Sequence, residues 1–123
     1  MLEPGIHGIS NSHLDVQWPK AKRGVEGLRK VLDRDGADAD TLLDLMHNRA
    51  VAAEAELPES ELPRDRERAL SSMFIETADY GTRCSTAVIY SSRGDLEFAE
   101  RTHDASDPET VTNRFHFSFP AAD

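Results

Sequence analysis

The stretch Tyr80–Tyr90 (Tyr-Gly-Thr-Arg-Cys-Ser-Thr-Ala-Val-Ile-Tyr) is the feature that most constrains how this chain can fold. In an extended strand its even-numbered residues, from Thr82 to Tyr90, point to one side and its odd-numbered residues, from Arg83 to Ile89, to the other. Both sides become apolar towards the C-terminal end, which predicts a central strand covered by other layers on both faces. The polar start of the stretch predicts a strand that opens onto a site.

The rest of the C-terminal part also alternates with period 2, which predicts strands on both sides of this one. Leu70–Thr77 is predicted to be a strand, and Leu96–His103 is predicted to return antiparallel after a hairpin turn at Ser92–Asp95. Gly94 supplies the positive φ that such a turn needs. In the segment 114–119, three phenylalanines alternate with polar residues, which predicts a last strand.

The N-terminal part favours helices after one short strand at Gly5–Ser12. Trp18-Pro19 should lead into a helix over Lys20–Leu32 that Asp35-Gly36 stops, with Gly24 and Gly27 explained by a close packing neighbour. A second helix should run from about Asp38 to Arg49, and 50–68 reads as a solvated connection with room for one helical turn. The predicted fold class is α+β, with two helices packed on a mostly antiparallel sheet of about four to five strands. We divide the domain into 5–36, 37–68 and 69–120.

Charge narrows the range of partners. Fourteen basic and twenty-three acidic residues give the 123-residue chain a net charge of −9, which disfavours nucleic acid and anionic membranes as partners. No apolar run reaches the roughly 18 residues of a membrane span, so we expect no membrane insertion. Acidic residues spread along the chain, with arginine used more often than lysine, are typical of proteins from salt-loving archaea. An ordinary acidic protein can have the same composition.

Cys84 is the single cysteine, so neither an internal disulfide nor a cysteine-based metal cluster can form. Its isolation predicts a reducing, cytoplasmic setting, and the N-terminus lacks the charged and apolar regions of a secretion signal. Arg83 could lower the pKa of Cys84, but strand neighbours point to opposite faces. We therefore expect a small buried cysteine rather than a nucleophile.

Four ordered motifs resemble the NRDE family, also called the transport-and-Golgi-organisation-2 family. The signature Ser-Asn-x-x-Leu-Asp-x-x-Trp-Pro-Lys is similar to residues 10–20, and the strand Tyr-Gly-Thr-Arg-x-Ser-Thr to residues 80–86. The middle segment matches at Leu57-Pro58 and through 67–75, and Glu100-Arg101 matches a pair on the returning strand. The resemblance covers about Gly5 to Phe119.

The same resemblance implies that only part of a family domain is present. Family members are about twice this length, begin with Met-Cys and carry an Asn-Arg-Asp-Glu motif, which this sequence lacks. They are thought to form an αββα sandwich like that of N-terminal-nucleophile hydrolases, with the cysteine as nucleophile. Because residue 2 is Leu2 here, we expect no such catalysis from this chain alone. The resemblance further implies haem, or a lipid or acyl conjugate, as the ligand.

Five residues could line the family's cleft. In αββα hydrolases an asparagine at a strand end helps form the oxyanion hole, a role open to Asn11, and an arginine near the nucleophile tunes it, a role open to Arg83. Asp15, Trp18 and Ser85 complete the candidate pocket. The alternatives stay open: Asn11 could satisfy a turn, Arg83 could pair with Glu100, and Trp18 could be a packing anchor.

No metal site or nucleotide-binding loop is indicated. The histidines show no ligand-type spacing, so each is expected to be a surface or strand-edge residue: His7, His13, His47, His103 and His116.

Three hypotheses for function follow. The first is half of a family domain that supplies one wall of a small-molecule pocket, together with a separately encoded N-terminal half. The second is the portion of a cysteine-dependent amide hydrolase or acyltransferase that lacks the nucleophile. The third is a small homodimeric structural protein whose strand edge a second copy covers.

Overall fold

The computed structural model describes residues 1–11, 14–16, 18–34, 36–104 and 106–120. Ser12 and His13 of the N-terminal signature, and Asp35 of the predicted helix stop, lie outside the described residues. The helices are α1 (Pro19–Leu32), α2 (Ala39–Met46) and α3 (Arg64–Ala69), with a 3-10 turn at Glu54–Glu56. The strands are β1 (Cys84–Tyr90), β2 (Asp95–Asp104) and β3 (Asp107–Ser118), which confirms the α+β class.

The sheet is antiparallel with the order β1-β2-β3, so β2 is the central strand and β1 lies at an edge. The prediction that Tyr80–Tyr90 forms the centre was wrong, because among the described strands β1 pairs with β2 only. The predicted hairpin turn is confirmed, and Gly94 has a φ of +89°. A side chain at this position would collide with the backbone carbonyl of Phe119.

Local chemistry explains the two main helices. Pro19 occupies the first turn of α1, where its missing N–H costs nothing, and Arg29 and Lys30 lie in the last turn. The Asp38 carboxylate caps α2 by accepting the backbone N–H of Thr41 at 2.7 Å. Gly27 gives α1 the close neighbour that its sequence predicted, since a Cβ there would collide with Leu45 of α2. The second helix ends at Met46, three residues before the predicted end.

Two predicted strands are absent from the described residues. In the segment 5–10, the N–H of Gly8 donates to Asp15 Oδ1 at 2.8 Å and its carbonyl accepts the N–H of Asp15 at 2.7 Å, which closes a loop instead of a ladder. The Leu70–Thr77 strand is replaced by the end of α3, then turns, and a single bridge between Glu76 and Gly81. The sheet therefore has three strands rather than four or five.

Serine chemistry explains the second failure. The hydroxyl of Ser71 donates to the carbonyl of Arg68 at 2.6 Å, and that of Ser72 donates to the carbonyl of Phe74 at 2.7 Å. These local bonds compete with a strand ladder. The preceding connection was also misjudged, since it contains α3 in addition to the 3-10 turn.

One face of the sheet, here called the closed face, packs against α2. Small side chains let the helix approach closely, because Ala87 of β1 and Ala99 of β2 are buried directly opposite each other. Leu43 and Ala39 of α2 are each 1 % exposed on this surface. This contact forms the main core of the described chain.

Ion pairs fix α2 on the same face. Arg101 of β2 donates to Asp44 at 2.7 Å and pairs with Asp40 at 3.5 Å. Arg114 of β3 also donates to Asp40, so one carboxylate on α2 links two strands. The Arg101 side chain is only 17 % exposed, which places these pairs at the rim of the core. Within the described residues, no helix is long and apolar enough to cross a membrane.

Candidate functional site

The opposite face of the sheet, here called the open face, has no layer of described residues over it. Its side chains come from the even-numbered residues of β1 and β2 and the odd-numbered residues of β3, as the strand register requires. Val88 is 53 % exposed, Tyr90 64 %, Phe115 52 % and Phe117 51 %. The prediction of a strand covered on both faces was therefore wrong for this chain: β1 is covered on its closed face only.

The open face has an apolar end and a polar end. The apolar end holds six side chains in three register rows: Tyr90, Leu96, Phe117, Val88, Phe98 and Phe115. Phe98 and Phe115 meet edge to face, with ring centroids 6.2 Å apart. A contiguous apolar surface of this kind is unusual on a monomer and marks a contact site.

The polar end holds the other rows of the open face, which are polar apart from Val111 at the edge: Cys84, Thr86, Glu100, Thr102, Val111 and Asn113. The Thr86 hydroxyl donates to Glu100 Oε2 at 3.3 Å. Cys84 is exposed, which contradicts the expectation of a buried cysteine. The reason is that the face on which Cys84 lies carries no second layer here.

A separate cluster lies at the end of the closed face, around the buried ring of Phe74. His47 stacks on this ring at 4.2 Å between centroids, and His103 meets it edge-on at 4.7 Å. Arg49 lies over the same ring at 5.0 Å and pairs with Glu76 at 3.0 Å. The cluster lines a cavity of about 500 Å³.

Ser85, one of the predicted site residues, belongs to this cluster. It is buried, and its Oγ lies 3.2 Å from Nε2 of His103. Burial lowers the pKa of His103, and the nearby charges of His47, Arg101 and Arg49 lower it further. A neutral imidazole beside a serine hydroxyl can accept its proton, although Ser85 is not among the residues that line the cavity.

The other predicted residues lie elsewhere. Asn11 and Trp18 line one small cavity of about 140 Å³ with Lys20 and Glu67. Asp15 has a φ of +56° and its carboxylate binds His7 Nδ1 at 2.8 Å. This hydrogen bond lowers the pKa of Asp15 and raises that of His7.

Arg83 is exposed at the start of β1. Within the described part of the chain it forms no ion pair, and Glu100 accepts from Thr86 instead of from Arg83. The described residues thus bring Asn11 and Trp18 together, but place Asp15 and Ser85 in different surroundings.

Sequence reasoning did not single out the Phe74 cluster. His103 is an odd-numbered residue of β2, as Ala99 and Arg101 are, so its side chain lies on the closed face. His47 directly follows α2, the helix that packs on the same face. The alternation of β2 could therefore have indicated from the sequence that His103 lies on the same face as Ala99. Nothing in the spacing of His47, Phe74 and His103 indicated that they meet, because the irregular segments 47–53 and 70–83 bring them together.

The described residues form an α+β unit whose sheet is covered by α2 on its closed face and by no layer of described residues on its open face. Comparison with known proteins identifies the family of this unit. The model of the Transport and Golgi organisation 2 family matches residues 1–105, and the chain belongs to that family. The NRDE resemblance found in the motifs refers to the same family.

Three relatives carry the family name. The bovine Transport and Golgi organization protein 2 homolog is 33 % identical over 132 residues, covering 94 % of this chain and 46 % of the bovine protein. The mouse and human homologues are 27 % and 28 % identical, with the same coverage. The chain thus spans about half the length of the curated relatives it matches.

Proposed function

We propose that this chain acts as one half of a four-layer αββα domain, namely one helix layer and one sheet, and supplies one wall of a small-molecule pocket. The other two layers come from the complementary half, meaning the part of a family chain that lies outside the region this chain matches. The open face carries the proposal: its apolar end is a packing surface without a layer, and its polar end provides hydrogen-bonding groups beside that surface. A ligand pocket commonly combines these two properties.

The apolar end accounts for association. Burying apolar surface contributes roughly 25 cal/mol per Å², so half-exposed phenylalanines are a substantial driving force when a second layer covers them. Phe115 and Phe117 lie on the edge strand β3 and Val88 on the edge strand β1, so the surface crosses the whole width of the sheet. A layer that covers it must be another sheet or helix pair of similar size.

The polar end accounts for the pocket wall. Cys84, Glu100 and Asn113 offer a thiol, a carboxylate and an amide in adjacent rows, with a hydroxyl from Thr86 between them. Such a set can orient a small polar ligand through hydrogen bonds. This chain contributes orientation, and any nucleophile of the family's hydrolase-like chemistry belongs to the complementary half.

Co-expression tests the association. The chain is produced together with the complementary half of the bovine homologue, and the complex is purified by a tag on one component. We expect a 1:1 complex that Phe117→Lys weakens, because a charge would then be buried at the apolar end. The matched control Lys30→Glu changes an exposed residue of α1 on the closed side and should leave the complex intact. Failure of the wild-type halves to associate would contradict the proposal.

Haem is one of the ligands that the family resemblance implies, beside a lipid or acyl conjugate, and its site can be tested separately. Haem needs an imidazole or thiolate that faces a cavity. His47 lines the 500 Å³ cavity and would be the residue to hold the haem iron there, whereas Nε2 of His103 is engaged by Ser85. When bound, haem would bring the redox and ligand-binding chemistry of its iron.

A spectral titration distinguishes the two locations. If haem binds at the open face, its absorbance band should saturate with the complex of the two halves and be unaffected by His47→Ala. Saturable binding to the isolated chain that His47→Ala removes would place the ligand in the cavity beside Phe74 and contradict the pocket at the open face.

A further inference from the structure

A groove of about 490 Å³ runs beside the outer edge of β1. Residues 7–10 form one wall and residues 86–88 the other, and apolar side chains of α1 and α2 form its floor. Both walls carry exposed apolar groups, since Ile9 is 72 % exposed and Val88 is 53 % exposed. This groove lies at the edge of the sheet, where it shares Thr86 and Val88 with the open face.

The hydrogen bonds of β1 show which backbone groups point into the groove. The N–H of His103 donates to the carbonyl of Arg83 at 2.7 Å, and the N–H of Ser91 donates to the carbonyl of Asp95 at 2.8 Å. The odd-numbered residues of β1 therefore bond to β2. Because hydrogen-bonding direction alternates along an antiparallel strand, the N–H and C=O groups of Thr86 and Val88 point outwards. Among the described residues, no backbone group pairs with this outer edge.

The opposite wall is a segment whose sequence predicts a strand. Residues 5–10 alternate as a strand does, yet they form none, and Gly8 is instead held by Asp15. The groove therefore lies between two potential pairing partners. One is the strand-like segment 5–10, and the other is the outer edge of β1.

We infer that this groove receives one extended strand from the complementary half, hydrogen-bonded to the outer edge of β1. The inference rests on the proposed function and adds a second contact to it, at the sheet edge. More than half of each relative lies outside the matched region, since this chain covers 46 % of each of them, so ample chain is present to supply the strand.

A second copy of this chain fits the groove less well. Its exposed strand β1 carries β2 along its other edge. If two β1 strands paired across the groove, the β2 strand of the incoming copy would occupy the space of residues 7–10. An incoming strand without a sheet on its far side avoids this collision and can also pair with that wall.

Proline substitution separates the outer edge from the rest of the sheet. Val88→Pro removes an N–H that points into the groove and leaves the bonds between β1 and β2 in place. Val88→Ala removes the side chain and keeps the N–H. His116→Pro is the matched control, because the same alternation places its N–H on the outer edge of β3, at the other side of the sheet.

The experiment measures affinity of each variant for the complementary half of the bovine homologue, together with hydrogen exchange of the wild-type amides. We expect Val88→Pro to bind about tenfold more weakly than Val88→Ala, as the loss of a backbone hydrogen bond implies. His116→Pro should bind like the wild type. The amides of Thr86 and Val88 should become protected in the complex, and those of Arg114 and His116 should not. Hydrogen exchange is measured on the wild-type chain, so it tests whether a strand pairs with β1 even if Val88→Pro does not fold.

The outcomes separate this inference from the proposed function. A complex that Phe117→Lys weakens, but in which Thr86 and Val88 still exchange freely, would overturn the added strand and leave the face contact standing. Protection of these amides in the isolated chain would overturn it in favour of a second copy. If the halves do not associate at all, both proposals fail.

Discussion

The two faces of the sheet differ in the size of their apolar side chains and in what covers them. On the closed face, Ala87 and Ala99 are small and Leu43 of α2 fills the space above them. On the open face the corresponding rows carry Val88, Phe98 and Phe115, which are large and have no layer of described residues above them. Small residues on the closed face admit the helix that packs there, and the proposed function assigns the large residues of the open face to a contact with the complementary half.

The largest expected effect contrasts truncations on the two faces. Leu43→Ala should lower the free energy of unfolding by about 2–5 kcal/mol, because it leaves a cavity in the core between α2 and the sheet. Phe117→Ala should cost the isolated chain less than about 1 kcal/mol, since half of the ring is already in water. Urea unfolding of both variants measures this. Equal losses would mean that the open face is already covered in the isolated chain.

A smaller effect is expected from the ion pairs at the rim of the closed face. Arg101→Met keeps much of the length of the side chain but removes its bonds to Asp40 and Asp44. We expect a loss of about 1–2 kcal/mol, because Arg101 is largely buried while its partners are exposed. Thermal unfolding in low and high salt measures the loss. Arg93→Met, in the exposed hairpin turn, serves as the control, and an equal loss there would show that the pairs contribute nothing specific.

The smallest effects concern two histidines with opposite pKa shifts. The hydrogen bond that His7 donates to the Asp15 carboxylate raises the pKa of His7, whereas burial lowers that of His103. The His7 pair therefore stabilises the fold between the lowered pKa of Asp15 and the raised pKa of His7, and it loses this contribution as pH rises through the latter. His103 does the opposite: stability increases as pH rises from its lowered pKa to its unfolded value.

Titration of the imidazole resonances by NMR checks both directions. Asp15→Asn should bring the pKa of His7 down towards its ordinary value and leave that of His103 in place. If His103 titrated above His7 in the wild type, the assignment of the Phe74 cluster to a buried environment would be incorrect.

Local patterns were sufficient to predict much of this fold. The Trp18-Pro19 entry predicted α1, the turn around Gly94 predicted the hairpin, and alternation predicted β1, β2 and the end of β3. Leu70–Thr77 misled because Ser71 and Ser72 satisfy nearby carbonyls, which an apolar period cannot reveal. The position of β1 at an edge depends on which strands exist elsewhere, so its own residues could not show it.

The candidate site was harder to predict than the fold. Ser85 was singled out from the family motif, but its neighbour His103 and the ring of Phe74 come from distant segments. The polar start of Tyr80–Tyr90 was expected to open onto a site, but Cys84 within it was expected to be buried and is exposed. Cys84 is exposed because the open face has no layer of described residues over it, and that property depends on the whole sheet.

The central claim is that the open face is an interface, and thiol protection tests it most directly. In a Cys84→Ser background, Phe115→Cys places a single thiol at the apolar end, and Lys30→Cys places one on the exposed side of α1. The account predicts that the thiol at 115 reacts readily with an aromatic disulfide reagent in the isolated chain and becomes protected in the complex with the complementary half, while the thiol at 30 reacts equally in both. Unchanged reactivity at 115 in a fully formed complex would contradict it.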